Sequence, residues 1–165
     1  MTLPYDHKSA ADIERYGQRL IGKTLATQPG AVAIPADMLT VAISGRSRGS
    51  FGKILENYYY GITPGNDSAP DFPEAAVELK STPLRKLTGG GYSAKERLVL
   101  GIINYEKEAT VPDFASSSLM KKNARIMLVS YEHEDGRAAV DNPVRIAQLL
   151  EFKGLPEKDQ RIIEN

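Results

Sequence analysis

Three segments of the chain carry apolar residues in the patterns that β-strands require. Ala75 to Thr82 alternates apolar and polar side chains, whereas Arg97 to Tyr105 and Arg125 to Tyr131 are short and almost continuously apolar. Alternation is typical of a half-buried strand, and short apolar runs bounded by turn formers indicate buried strands. Pro83 is expected to end the first strand. The chain must therefore bury a β-sheet.

Helical periodicity marks the parts of the chain on either side of these strands. Ser9 followed by Asp12 resembles a capping box, and the apolar positions behind it recur at near-helical spacing. Asp141 or Asn142 is a candidate N-cap for a later helix with Pro143 at its first position. The predicted helices are Ala10–Thr27, Ser50–Tyr60, Pro143–Phe152 and Glu157–Glu164.

Turn formers separate these elements. Residues 29–49 are expected to form a connection in which Met38 to Ile43 is a short strand or a turn. Gly61 to Pro70 is dense in turn formers, Thr88 to Gly91 is a flexible tip, and Asp135-Gly136 is a turn. The order of helix, helix, strands and helix predicts an α/β or α+β fold, with a mixed sheet flanked by helices.

Length and composition limit the classes of protein to consider. A chain of 165 residues with 41% apolar residues predicts one globular domain. No apolar run reaches the roughly 18–20 residues of a membrane span, so we expect no membrane contact. The absence of cysteine excludes disulfides, zinc–thiolate sites and a cysteine nucleophile, and it agrees with a cytoplasmic location.

The segment that carries chemistry runs from Pro70 to Lys80. Because side chains alternate along a strand, Glu78 and Lys80 project from one face and Leu79 points towards the core. Asp71 precedes a bend at Phe72-Pro73 and can return to the same point. Two carboxylates and one ammonium group are therefore expected to converge.

Such a set suits the hydrolysis of phosphodiesters. Carboxylate oxygens hold Mg²⁺, which stabilises charge on phosphoryl oxygens and lowers the pKa of a bound water. The lysine orients or deprotonates the attacking water, or neutralises the transition state. The pattern D-x(6)-E-x-K is short, however, and a glutamate and a lysine two residues apart are common on strand surfaces. The wider sequence has to distinguish the two interpretations.

That wider sequence resembles a known family. Asn66 to Pro83, followed by Ser93 to Leu100, is similar to the MutH family of DNA endonucleases, which belongs to the PD-(D/E)xK superfamily. The stretch SAKERLVLGIINY, from Ser93 to Tyr105, is similar to the branch of GATC restriction endonucleases typified by Sau-three-A-I. The resemblance covers approximately residues 45 to 135.

The resemblance implies a metal site and a catalytic lysine. The aspartate of PDF and the glutamate of ELK match Asp71 and Glu78, which would bind Mg²⁺ or Mn²⁺ together with the backbone carbonyl of Leu79. The lysine of ELK matches Lys80. A glutamate on the preceding helix matches Glu56, and a second active-site lysine matches Lys122, with Lys121 as the fallback.

Basic residues around these motifs are candidate contacts for DNA phosphates. A formal net charge of zero requires any DNA-binding face to be local. The candidates flank the glycine-rich tip or precede the second helix: Arg46, Arg48, Lys53, Arg85, Lys86 and Lys95.

The expected partner is double-stranded DNA, and three functions remain open. The first is a type II restriction endonuclease that cuts unmethylated GATC in both strands before the G and leaves 5′-phosphate ends. The second is a MutH-like mismatch-repair nickase, and the third is a DNA-binding module that does not cut. Family members of the restriction branch are longer, so residues 1–165 are expected to be a single N-terminal catalytic domain that lacks a C-terminal DNA-reading domain.

Overall fold

The computed structural model describes residues 3–43, 50–63, 68–102 and 104–164. In these ranges no helix is both long enough and apolar enough to cross a bilayer. The helices are α1 (Ala10–Gln18), α2 (Ala36–Ile43), α3 (Ser50–Ile54), α4 (Tyr105–Glu108), α5 (Ser118–Asn123) and α6 (Glu157–Glu164). A π-helical segment, Leu55–Tyr60, continues α3, and short 3-10 turns lie at Phe114–Ser116, Ala139–Asp141 and Phe152–Gly154.

One mixed sheet organises the fold. Its strands are β1 (Glu78–Lys86), β2 (Tyr92–Ala94), β3 (Arg125–Glu132) and β4 (Val144–Glu151), in the spatial order β2-β1-β3-β4. β1 runs parallel to β3, while the β1–β2 and β3–β4 pairs are antiparallel. The predicted α+β class with a mixed sheet flanked by helices is confirmed.

The core lies on the sheet face that α1 and the π-helical segment cover. Val77, Leu79 and Met127 are buried on this face. Above them the rings of Tyr5 and Tyr16 stack with centroids 4.6 Å apart, and Tyr16 stacks on Tyr59 at the same distance. Burial of an aromatic ring is among the largest single contributions to a core. The core therefore fixes Leu79 on one face of β1 and leaves Glu78 and Lys80 on the opposite face.

The first predicted helix is shorter than its apolar pattern. Ser9 caps it as predicted, because its Oγ accepts a hydrogen bond from the Asp12 amide at 3.3 Å. The α-helix ends at Gln18, and Gly22 then takes a left-handed conformation with φ of 77° while its amide donates to Val144. The prediction to Thr27 is wrong because the later apolar residues are buried by a turn that docks on β4.

The connection between residues 29 and 49 contains a helix. Met38 to Ile43, predicted as a strand or turn, lies within α2 instead. Asp37 occupies the first turn, where it offsets the helix dipole, and the Thr40 hydroxyl donates to the Ala36 carbonyl. An apolar run this short does not distinguish a helix from a strand.

The helix predicted from Ser50 to Tyr60 is confirmed, with its second half wound as a π-helix. The strand predicted from Ala75 to Thr82 begins at Glu78 and continues past Pro83 to Lys86, so Pro83 does not end it. The carbonyl of Pro83 faces Lys95, just beyond the end of β2, so its nitrogen faces the same way. The missing N–H therefore costs no bond to β3.

Two further predictions are wrong. The described part of Arg97–Tyr105 forms no strand up to Ile102 and begins α4 at Tyr105, and Ile102 is 98% exposed. Pro143–Phe152 is not a helix, since β4 occupies Val144–Glu151 and pairs with β3. The predicted strand at Arg125, the turn at Asp135-Gly136 and the helix Glu157–Glu164 are confirmed.

Candidate active site

A tight bend brings Asp71 back to the start of β1. Phe72 and Val77 exchange two backbone hydrogen bonds of 2.9 and 3.2 Å, and Ala76 between them has a positive φ of 52°. The bend ends with Asp71 facing the strand: its Oδ2 accepts a hydrogen bond of 2.9 Å from the Leu79 amide, and its own amide donates to Glu78 Oε2 at 3.2 Å. The predicted return of Asp71 towards Glu78 is confirmed.

Lysines neutralise the Glu78 carboxylate, which is buried with only 2% of the residue exposed. Lys80 Nζ donates to its Oε1 at 2.7 Å, and Lys122 Nζ lies 3.6 Å from the same oxygen. A buried carboxylate needs such partners because an unpaired charge is costly in a protein interior. Lys80 and Glu78 share a face of β1, as the alternation of the strand predicts. Lys122 reaches the site from α5, whereas Lys121 is exposed.

Glu56 approaches the same cluster from the π-helical segment. Burial raises the pKa of its carboxyl group, and the nearby charges of Asp71 and Glu78 raise it further, while Lys80 and Lys122 act in the opposite direction. π-helical turns often occur at functional sites, where they change the direction of a side chain. The structure thus brings together all five ionisable residues that the sequence placed in the site.

Asp71 has an environment that disfavours its ionised form. Burial raises the pKa of its carboxyl group, and the charge of Glu78 adds to this effect, although the hydrogen bond from the Leu79 amide and the two lysines oppose it. Carboxylates that repel each other in a partly desolvated site are a common feature of functional centres. A cation between them would relieve that repulsion.

The donor set fits a hard divalent cation. Asp71 and Glu78 offer carboxylate oxygens, which Mg²⁺ prefers. The N–H and C=O of a strand residue point in the same direction, and the Leu79 amide faces Asp71, so the Leu79 carbonyl faces that side of β1 as well. Among the described residues, no group of three His, Cys, Asp or Glu side chains is arranged to hold a metal. A site made of two carboxylates and a backbone carbonyl does not require a third such side chain.

The predicted phosphate contacts lie outside this cluster. Lys53 is exposed on α3, Arg85 and Lys86 are exposed at the far end of β1, and Lys95 is exposed just after β2. Arg46 and Arg48 lie outside the residues that the structure describes.

An open cleft lies beside Asp71 and Lys122, and sequence reasoning did not find its walls. Ile62, Thr63 and Pro73 line it together with the two ionisable residues. Ile62 and Thr63 belong to a segment that was interpreted only as a turn. The signal in the sequence is their nearness to Asp71, because Ile62 and Thr63 lie within the turn-rich stretch Gly61 to Pro70 that Asp71 follows.

Comparisons with known proteins agree with this geometry. The family model described as "DNA mismatch repair enzyme MutH" matches residues 60–165. The "Type II restriction enzyme Sau3AI" of Staphylococcus aureus is 45% identical over 111 residues, which are 67% of this chain. The match covers 22% of that relative, so the chain spans less than a quarter of its length.

Proposed function

Because the chain belongs to the MutH family, we propose that it is the catalytic domain of a type II restriction endonuclease. It would hydrolyse DNA phosphodiesters at GATC sites with Mg²⁺ or Mn²⁺ and leave 5′-phosphate ends. We favour this activity over mismatch repair because the 45% identical relative is described as a type II restriction enzyme. A cytoplasmic location is part of the same proposal.

The observation that carries the proposal is the convergence of Asp71, Glu78 and Lys80 at the start of β1. The Asp71 amide donates to the Glu78 carboxylate, the Leu79 amide donates to the Asp71 carboxylate, and Lys80 Nζ donates to Glu78 Oε1 at 2.7 Å. A structural ion pair would need Glu78 and Lys80 but would leave the position of Asp71 unexplained. A phosphodiester hydrolase needs all three.

Each residue has a proposed role. Asp71, Glu78 and the Leu79 carbonyl would hold the divalent cation, which when bound supplies positive charge to the phosphoryl oxygens and acidifies water. Lys80 would orient or deprotonate the attacking water, or neutralise charge at the transition state. Glu56, whose raised pKa favours its protonated form, is a further acid, and Lys122 is a second cation beside the reacting group.

The exposed cations would contact the DNA backbone. Lys53, Arg85, Lys86 and Lys95 are in solvent and are available to phosphates, and Arg46 and Arg48 are proposed on sequence alone. Phosphate contacts release counterions, so affinity for DNA should fall steeply as salt is raised. We expect a loss of at least about tenfold between 50 and 200 mM salt, measured by fluorescence anisotropy. An affinity independent of salt would contradict these contacts.

A nicking enzyme is the second candidate, because the matching family model describes a mismatch-repair enzyme. Supercoiled plasmid that contains GATC sites distinguishes the two functions when it is incubated with the chain and Mg²⁺. Linear product supports a restriction endonuclease and open-circular product a nickase. A complex that binds DNA without cutting indicates a DNA-binding module, and full cutting in EDTA would contradict the metal site.

A further inference from the structure

A second ionic cluster lies at the opposite end of β1 from the candidate active site. Glu132 Oε2 accepts a hydrogen bond of 2.9 Å from the Tyr92 hydroxyl and one of 2.8 Å from Arg145 Nε, and Arg145 Nη2 lies 2.7 Å away. The Arg145 guanidinium also stands over the Tyr92 ring, 6.0 Å from its centroid. Hydrogen bonds from Arg145 and Tyr92 hold the pKa of Glu132 below its usual value, so the cluster contains a carboxylate.

These three side chains join strands across the whole sheet. Tyr92 belongs to β2, Glu132 to β3 and Arg145 to β4, and β1 passes between them. The register pairs Tyr92 with Lys86 and Glu132 with Leu84, so the cluster lies on the face of β1 that also carries Lys80. Glu132 therefore fastens the edge strand β2 to the opposite edge of the sheet.

Within the described residues, the ladder that joins β1 to β2 is short. β2 contains only three residues and pairs with β1 at three positions. The tip is exposed, and Gly90 and Gly91 both have positive φ. A short two-stranded ribbon is marginally stable in water, so a contact beyond its own ladder decides its orientation.

The hairpin presents the basic residues at a defined distance from the candidate active site. Lys86 follows Lys80 by six residues on the same strand, which corresponds to approximately 20 Å at the rise of a β-strand. Along one strand of B-DNA, 20 Å separates phosphates by roughly six steps. A duplex that lies along β1 with its scissile phosphate beside Lys80 would therefore meet the hairpin at a phosphate outside the four-base-pair sequence.

We propose that Glu132, Tyr92 and Arg145 are positioning residues that hold the β1–β2 hairpin as a preformed contact for the phosphates of flanking DNA. This inference rests on the proposed function and extends it to a second contact on the duplex. Holding Arg85, Lys86 and Lys95 in place before binding removes the entropy cost of ordering them in the complex.

Binding to duplexes of two lengths tests the inference. One duplex has GATC with ten base pairs on each side and the other has one, and affinities are measured in a Ca²⁺ buffer. The wild-type chain should bind the longer duplex more tightly than the shorter one. Glu132→Ala should bind the longer duplex about five- to tenfold more weakly than the wild type does, and its affinity for the shorter duplex should be unchanged. Tyr92→Phe removes only a hydroxyl group and should shift the preference in the same direction.

Glu134→Ala is the matched control. Glu134 pairs with Arg137 at 2.7 Å in an exposed turn, so its removal changes the net charge equally but leaves the hairpin untouched. Glu134→Ala should keep the wild-type preference for the longer duplex. A Glu132→Ala variant that also keeps this preference overturns the inference.

Hydrogen exchange separates this inference from the proposed function, because it needs no DNA. The Leu87 amide donates to Gly91 across the hairpin at 3.1 Å and should exchange faster in Glu132→Ala than in Glu134→Ala. Equal exchange rates contradict the positioning role whether or not the chain cuts DNA. Faster exchange in a chain that neither binds nor cuts DNA supports the fastening of the hairpin and refutes the proposed function.

Discussion

At the scale of single residues, Asp71 lowers the stability of the fold that it serves. Burial and the neighbouring Glu78 raise its pKa, so the folded state binds the proton of this carboxyl group more tightly than the unfolded state. Above the pKa of the folded state the ionised group therefore destabilises the fold. This cost disappears as the pH falls below the pKa of the unfolded state.

Asp71→Asn tests this conclusion together with the metal site. The amide keeps an oxygen for the Leu79 N–H. In EDTA the free energy of unfolding of the variant should therefore equal that of the wild type or exceed it by less than about 1 kcal/mol. Mg²⁺ should raise the melting temperature of the wild type and not that of the variant. Asp135→Asn, at an exposed position, should respond to Mg²⁺ as the wild type does.

At the scale of elements, the bend from Phe72 to Val77 determines where Asp71 lies. Ala76 adopts a left-handed conformation in this bend, which costs an L-residue on the order of 1–2 kcal/mol. Ala76→Gly should therefore raise the free energy of unfolding, measured in urea, by about 0.5–1 kcal/mol. This figure is the relief of strain less the extra conformational entropy that glycine gives the unfolded chain. Ala11→Gly, in the exposed part of α1, should destabilise it by about the same amount. If both substitutions destabilise equally, the bend carries no strain.

The elements also show what the sequence predicts and what it does not. The alternation around Glu78 and the turn at Phe72-Pro73 are local features, and they predicted the arrangement of the candidate active site. β4 was predicted as a helix because its hydrogen bonds go to β3, a partner that local periodicity does not reveal. Glu14 on α1 even accepts the hydrogen bond of the Leu149 amide on the other side of this edge strand.

The Glu132 cluster was beyond sequence reasoning for the same reason. Tyr92, Glu132 and Arg145 are separated by 40 and 13 positions, and only the strand order brings them together. The exposed apolar residues Val99 and Ile102 show the opposite case, since their strand-like sequence has no partner strand among the described residues. Non-local pairing decides both outcomes.

At the scale of the whole molecule, a cluster of tyrosines joins the N-terminal segment to the core. The Tyr5 hydroxyl donates to the Tyr60 carbonyl at 2.8 Å, and the Tyr59 hydroxyl donates to the Tyr16 carbonyl at 2.7 Å. Burial raises the pKa of Tyr5, Tyr59 and Tyr60 well above the usual value for tyrosine. These groups keep their protons in the folded state when the unfolded chain has lost them.

The stability of the chain should therefore fall at alkaline pH. Above pH 10 the unfolded state binds fewer protons, and the free energy of unfolding decreases by up to about 1.4 kcal/mol per pH unit for each such tyrosine. Urea unfolding at pH 8 and pH 10.5 measures this change. Tyr5→Phe should reduce the slope, while Tyr105→Phe, at a position that is 79% exposed, should leave it unchanged. Equal slopes in the two variants would contradict the account of the cluster.

The central claim is that Asp71, Glu78 and Lys80 act together on a phosphodiester, and cleavage of a labelled GATC duplex in Mg²⁺ tests it most directly. Lys80→Ala should lower the single-turnover rate at least about a hundredfold while the chain stays folded, because it removes the cation beside Glu78. Lys23→Ala, at an exposed position remote in sequence, should cut at the wild-type rate. A folded Lys80→Ala chain that cuts as fast as Lys23→Ala would contradict the account.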